Sequence, residues 1–176
     1  MVAAFEIRDV SSWGVVNAEP IGRDEKWWLH EPGTPTSSRE HDWLFKPVDV
    51  PRHGHHQGED WVEKIVGELG SLLGVPCAHV ELATRHGVPG SISRNVTPDT
   101  IRVYIPARGR DLVATAHHAL DLAGERARRH WTERLRTLDW TEVEDVVMRT
   151  PALSDVTATF ILELLVINWR RLLHEY

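Results

Sequence analysis

Sulfur is scarce in this sequence, with one cysteine, Cys77, and two methionines among 176 residues. A single thiol excludes an intrachain disulfide framework and points to a reducing compartment. Long apolar runs are lacking as well. A membrane-spanning helix needs roughly 18 consecutive apolar residues, and the longest apolar segment here, Phe160 to Ile167, is interrupted by Glu163. The opening residues carry Glu6, Arg8 and Asp9 and contain no apolar core of a secretory leader. Basic charge is not in excess: 20 Lys and Arg against 26 Asp and Glu leave a formal net charge of −6, which argues against a general nucleic-acid binder. There is no internal repeat or low-complexity stretch. Ser91 and Ser93 stand in no G-x-S-x-G elbow, so a hydrolase reading has no support. The expectation is a cytoplasmic globular protein with neither membrane nor nucleic acid as partner.

Tryptophan, by contrast, is abundant. Five of the eight, Trp13, Trp27, Trp28, Trp43 and Trp61, fall in about the first third and predict a dense aromatic core there. The pattern divides the chain in two. Residues 1–100 read as short strands, turns and one helix, and residues 101–176 as a helical subdomain that is almost wholly helical from residue 110, which gives an α+β class. Strands are predicted at Glu25 to Leu29, Asp42 to Val48, Val80 to Ala83, Gly90 to Ser93 and Ile101 to Ile105. Glu31 to Ser38 and Pro51 to Gly58 carry turn and loop chemistry. A helix is predicted from Asp60 to Leu73, with Asp60 as N-cap, Glu63 completing a capping box, and Trp61, Ile65, Leu69 and Leu72 on one face. Gly74 and Pro76 stop it. In the back half, the stripe from Leu112 to Leu135 predicts one long helix from Asp111 to Leu138, with Gly124 as its weak point. Thr141 with Glu144 opens a short helix to Arg149, and Ser154 or Asp155 caps a last helix ending near His174.

Several residues invite chemical readings. The arginine run from Arg126 to Arg136 is interleaved with Glu125 and Glu133 and reads better as a solvated helix face than as an anion site. His53, His55 and His56, near Glu59 and Asp60, suggest a metal, but adjacent loop histidines rarely share ligand geometry and no second cluster pairs with them. His117 and His118 are neighbours in a helix, so at most one faces the core. Cys77, with Pro76 before it and no base paired by motif, reads as a buried structural thiol.

Three ordered spacings remain. Gly22-Arg23-Asp24-Glu25-Lys26 forms a glycine-containing turn before Trp27-Trp28-Leu29. Trp43-Leu44-Phe45-Lys46-Pro47 places a lysine at the end of an apolar strand. Gly58-Glu59-Asp60-Trp61-Val62-Glu63-Lys64 opens a helix that stops at Leu73-Gly74-Val75-Pro76. Together they resemble the N-terminal, ATP-binding lobe of HipA-like kinases, over roughly residues 5–96, with Val80-Glu81-Leu82-Ala83 and Gly90-Ser91-Ile92-Ser93-Arg94 resembling the sheet and hinge that follow. The resemblance implies a kinase-like antiparallel sheet with one packed helix. It implies ATP, with or without Mg²⁺, held at Gly22, Arg23, Lys26, Lys46, Glu63, Ser93 and Arg94: the turn over the phosphates, Lys46 on the α/β-phosphates, Glu63 fixing Lys46, and the adenine near the hinge. The chemistry is coherent, because phosphates need fixed positive charge and backbone N–H groups. The residues also have a plainer reading, with Glu63 as a first-turn carboxylate favoured by the helix dipole and Lys46 as a surface lysine.

The resemblance also exposes a gap. Phosphoryl transfer needs a catalytic aspartate and a metal-binding Asn and Asp. The last apolar helix runs into Asn168-Trp169-Arg170-Arg171. Set on the family's catalytic loop by Asn168 and Arg171, it puts Arg170 in place of the expected aspartate, and it reads equally as an unrelated helical tail; on either reading no aspartate follows within the 176 residues. The expectation is a nucleotide-binding pseudokinase or regulatory partner that does not transfer phosphate alone. Two alternatives stand beside it: an adaptor with a vestigial pocket that binds a protein through its C-terminal helices, and half of a split kinase completed in trans.

Overall fold

The computed structural model describes residues 3–18, 25–49, 54, 58–96 and 112–173. Six strands, β1 (Ile7–Asp9), β2 (Gly14–Ala18), β3 (Trp27–His30), β4 (Asp42–Pro47), β5 (Val80–Arg85) and β6 (Val88–Arg94), form one sheet. Its strand order is β1-β5-β6-β4-β3-β2. With the helices it makes an α+β fold. The sheet is mixed rather than wholly antiparallel as expected, because β1 runs parallel to β5. The other four neighbouring pairs are antiparallel. Strands β2 to β4 and a helix lie between β1 and β5 in sequence, and a connection of that length permits a parallel pairing that a hairpin forbids. Strands β5 and β6 extend further than predicted and close on a two-residue turn at His86 and Gly87.

The two faces follow from the period of two in β4. Trp43 and Phe45 point to one side, level with Leu29 and Trp27 of β3 and, at Phe45, with Ile92 of β6. Here Val10, Trp13, Leu29, Trp43, Phe45, Ala83 and Ile92 form one buried cluster, with Trp27 packed against it. Trp13 meets Trp43 edge-on at 6.1 Å, and Trp27 stacks on Phe45 at 6.1 Å. Burying side chains of this size contributes about 1.5–3 kcal/mol each. Val10 and Trp13 come from the turn after β1, which Arg85 secures by donating to both their carbonyls at 3.0 and 3.2 Å.

The opposite face carries α1 (Glu59–Leu73), packed on β5 and β6. Ile65 is buried, and Trp61, Leu69 and Leu72 are half-buried beside it. The predicted capping box does not form. Gly58 is the N-cap, in a left-handed conformation, while Asp60 lies inside the first turn and is buried. The helix ends at Gly74, whose N–H donates to the carbonyls of Gly70 and Ser71. Cys77 corrects another expectation: it is exposed, because the chain leaves α1 along the surface.

The chain divides into two compact units, Met1–Thr100 with Arg149–Pro151, and Ile101–Met148 with Ala152–Tyr176. The short segment joins the first unit through Phe5, whose N–H donates to the Arg149 carbonyl at 2.8 Å and whose ring lies 4.2 Å from the Arg149 guanidinium. The second unit contains α2 (Leu112–Ala123), α3 (Glu125–Arg136), α4 (Trp140–Met148) and α5 (Asp155–Leu173). The single long helix predicted for α2 and α3 is broken at Gly124, whose φ of 87° is open to glycine and strained for other residues. Asp139, not Thr141, caps α4 by accepting from the Thr141 N–H at 2.8 Å. Ser154 caps α5 by accepting from Thr157 N–H at 3.2 Å. The core of this unit is Val143, Val146, Val147, Ala158 and Leu173, with Trp140 edge-on to Trp169 and the Trp169 indole donating to the Leu135 carbonyl. Neither α2 nor α3 contributes a fully buried residue. His117 is half-buried with Nε2 at 3.1 Å from the Arg171 carbonyl, and His118 is exposed. No helix of the described residues is long and apolar enough to cross a membrane.

Candidate functional site

Alternation along β4 sends Lys46 to the face that carries α1, level with Ser91 of β6. Glu63, one turn into α1, meets it there, with Lys46 Nζ 3.4 Å from Glu63 Oε1. The pair is open to solvent, Lys46 at 25% and Glu63 at 48% side-chain exposure. An exposed pair of this kind adds little to stability, about 0–1 kcal/mol. Its consequence is geometric: the carboxylate holds the ammonium over the sheet while leaving donors for a further anion.

Leu44 lies two residues before Lys46 on the same face, level with Trp28 of β3 and Ser93 of β6. Leu44, Trp28 and Ser93 are all half-buried, so a partly apolar shelf adjoins the lysine. Lys26 stands one residue before β3. The register Trp28↔Leu44, Trp27↔Phe45, carried on by one residue, places it level with Lys46. Gly22 and Arg23 lie outside the described residues, as do His53, His55, His56 and the strand predicted at Ile101 to Ile105. Arg94 does not join the others. It is level with Trp43 and therefore on the opposite face, where its Nε donates to the Glu40 carbonyl at 3.1 Å. The structure thus pairs Lys46 with Glu63, sets Lys26 level with Lys46 and Ser93 on the same face level with Leu44, and separates Arg94.

Sequence reasoning missed a second lysine beside the first. Lys64 is 4% exposed, and its ammonium donates to Glu68 Oε1 at 2.6 Å, the Val80 carbonyl at 2.8 Å and Glu81 Oε2 at 3.3 Å. The Phe5 ring lies 4.8 Å away. Three partners match the three donors of an ammonium, so Lys64 is a structural tie between α1 and β5. Only the Lys64 to Glu68 spacing, four residues apart on a helix, was visible beforehand.

A further polar cluster sits at the other end of β4. His30 Nδ1 lies 2.9 Å from Asp42 Oδ1, Nε2 lies 3.1 Å from Thr34 Oγ1, and Arg39 Nε donates to Asp42 Oδ2 at 3.3 Å. The bond to Asp42 and that to the Thr34 carbonyl raise the His30 imidazole above its ordinary 6.5. Burial alone would raise Glu31, but hydrogen bonds from Arg8 and the Trp43 indole outweigh it and hold its carboxyl below the usual range. The Thr34 hydroxyl donates to the Glu31 carbonyl at 2.6 Å. Its proton is therefore engaged, and the His30 chain braces the turn rather than activating a nucleophile.

The core-bearing face has an open groove of about 270 Å³ lined by Val15, Trp27, Phe45, Pro47 and Val88, with Arg85 and His86 at its rim. The second unit has a cleft of about 310 Å³ into which His117, Arg128, Thr132 and Arg136 project, with Arg128 paired to Asp121. Among the described residues no group of three or more His, Cys, Asp or Glu is placed to hold a metal ion. No protein-family model matches the chain, and comparison with curated proteins and with solved structures finds no match.

Proposed function

We propose that the first unit is a nucleotide-binding module of HipA-like kinase type, and that this chain does not transfer phosphate on its own. The observation that carries the reading is the Lys46–Glu63 pair on the helix-bearing face. A partly exposed lysine held by a helix carboxylate suits the α/β-phosphates of a nucleotide. Lys26 at the same level adds a second positive charge, and Leu44 offers apolar surface beside them, next to a Trp28 ring that carries the Arg39 guanidinium at 5.3 Å. No described residue is assigned to Mg²⁺.

Isothermal titration of MgATP into wild type, Lys46→Ala and Glu63→Gln tests it. The expected result is wild-type binding near the micromolar range, roughly −8 kcal/mol, weakened about tenfold or more by either substitution while circular dichroism stays unchanged. Absence of binding to the folded wild type would retire the nucleotide site.

A second reading, in which the helical unit is a protein interface and the pocket is vestigial, is favoured by a different observation. Val156, Phe160, Leu164 and Ile167 of α5 form an exposed apolar stripe.

A further inference from the structure

The stripe on α5 has a geometry that points to its occupant. Val156, Phe160, Leu164 and Ile167 recur at intervals of four, four and three residues, so they share one side of the helix. All four are well exposed, between 46% and 80%. The inner side of α5, with Ala158 and Leu173 buried, already packs on α2, α3 and α4. The helix is therefore apolar both inward and outward, and a solvated outer side would be polar. The distance from Val156 to Arg170 is about 21 Å at 1.5 Å per residue.

Charges along the stripe are arranged with a sense. Glu163 and Arg170 are both exposed and border the apolar residues on the same edge, seven positions or two turns apart. Asp155 lies in the first turn of α5, and Arg170 and Arg171 lie in the last. Two copies of this helix laid antiparallel about a two-fold axis midway between positions 163 and 170 would set each Glu163 opposite the Arg170 of the other copy. Leu164 and Ile167 would fill the seam between those pairs, Phe160 would reach the last turn of the other helix, Val156 would fall beyond the overlap, and the helix dipoles would oppose. A two-fold axis closes such a contact after two chains.

We propose that α5 is a self-association surface through which two copies of this chain pair antiparallel, with Glu163 and Arg170 as reciprocal ion pairs across an apolar seam. One helix face is small for an interface, which places the complex among the weak and reversible ones. The proposal is independent of the nucleotide reading, and Lys46→Ala is expected to leave the association unchanged.

Sedimentation equilibrium of the full chain over about 1–200 µM tests it. The wild type is expected to move from monomer to dimer across that range. Leu164→Asp is expected to remain monomeric. Glu163→Lys sets an ammonium against the Arg170 guanidinium of the other copy, and Arg170→Glu sets two carboxylates against each other. Each change alone should therefore weaken the dimer about tenfold or more. Mixing these two single variants should restore it in part, because in the heterodimer one cross-helix pair joins two native residues of opposite charge and the other joins the two substituted residues, again of opposite charge. Since both sites are exposed, the two charge variants are expected to fold even if Leu164→Asp does not. A wild type that stays monomeric at the highest concentration overturns the proposal. So does a dimer unaffected by the single charge reversals, or a mixture no tighter than its components.

Discussion

Lys64 Nζ donates a hydrogen bond of 2.8 Å to the carbonyl of Val80, fastening the helix that carries Glu63 to the first residue of β5. The neighbouring pair, Lys46 with Glu63, is solvated, whereas Lys64 is 4% exposed. The two lysines should therefore respond differently to truncation. Lys64→Ala leaves the Val80 carbonyl without this donor and removes the ammonium shared by Glu68 and Glu81, leaving Glu81 with His79 alone, a loss expected to destabilise the first unit by about 2–4 kcal/mol. Lys46→Ala is expected to change stability by less than about 1 kcal/mol. Urea melts of the two variants followed by tryptophan fluorescence decide between them. Equal midpoints would mean that the Lys64 cluster is not the tie described above.

Stability should depend on pH in two windows. His30 is raised in the folded state by Asp42 and the Thr34 carbonyl. The stabilisation from its charged form is thus fully present below the ordinary imidazole value and fades as pH rises through the raised one. Glu31 is lowered in the folded state because the bonds from Arg8 and Trp43 outweigh its burial. Its contribution is present above the ordinary carboxyl value and lost as pH falls through the lowered one. His30→Gln is expected to flatten the alkaline limb alone, and Glu31→Gln the acid limb alone. Thermal melting of each variant across the pH range checks this, and a His30→Gln profile parallel to wild type on the alkaline side would exclude the coupling.

Parts of this architecture were legible because the signal was local and repeated. The alternation in Trp43-Leu44-Phe45-Lys46 specifies two faces once β4 is a strand, and the ordered spacing of Lys46 and Glu63 marked the two side chains that the fold brings to 3.4 Å. Gly74 ended α1 as its sequence indicated. Features set by distant partners were not legible. β1 has three residues, too few for a period, and its parallel pairing with β5 depends on the whole intervening chain. Lys64 reads as a surface lysine until the Val80 carbonyl and Glu81 arrive from elsewhere. Arg94 followed Ser93 in the predicted hinge, but consecutive strand residues face opposite sides, so both could not point to one ligand. Asp60 has the composition of a cap, yet the left-handed turn at Gly58 starts the helix before it and draws Asp60 into the first turn.

Gly90 offers the most direct check on the sheet that presents Lys46. It pairs with Pro47 of β4 on one side and Ala83 of β5 on the other. A Cβ added there would collide with the Lys46 carbonyl oxygen and lie 3.0 Å from both the Phe45 ring and the Pro47 Cα. Two of those three neighbours are backbone, and β4 is held between β6 and β3, so the strand cannot retreat as a flexible side chain would. Gly90→Ala is expected to destabilise the first unit by about 2–4 kcal/mol, lowering its Tm by about 10 °C or more. Gly14, with nothing within 4 Å of an added Cβ, supplies the control, and Gly14→Ala should melt within about 0.5 kcal/mol of wild type. Differential scanning calorimetry of the two variants reads both numbers. If Gly90→Ala melts with Gly14→Ala, the close approach of β6 to β4 is wrong, and with it the alignment that sets Lys46 level with Ser91.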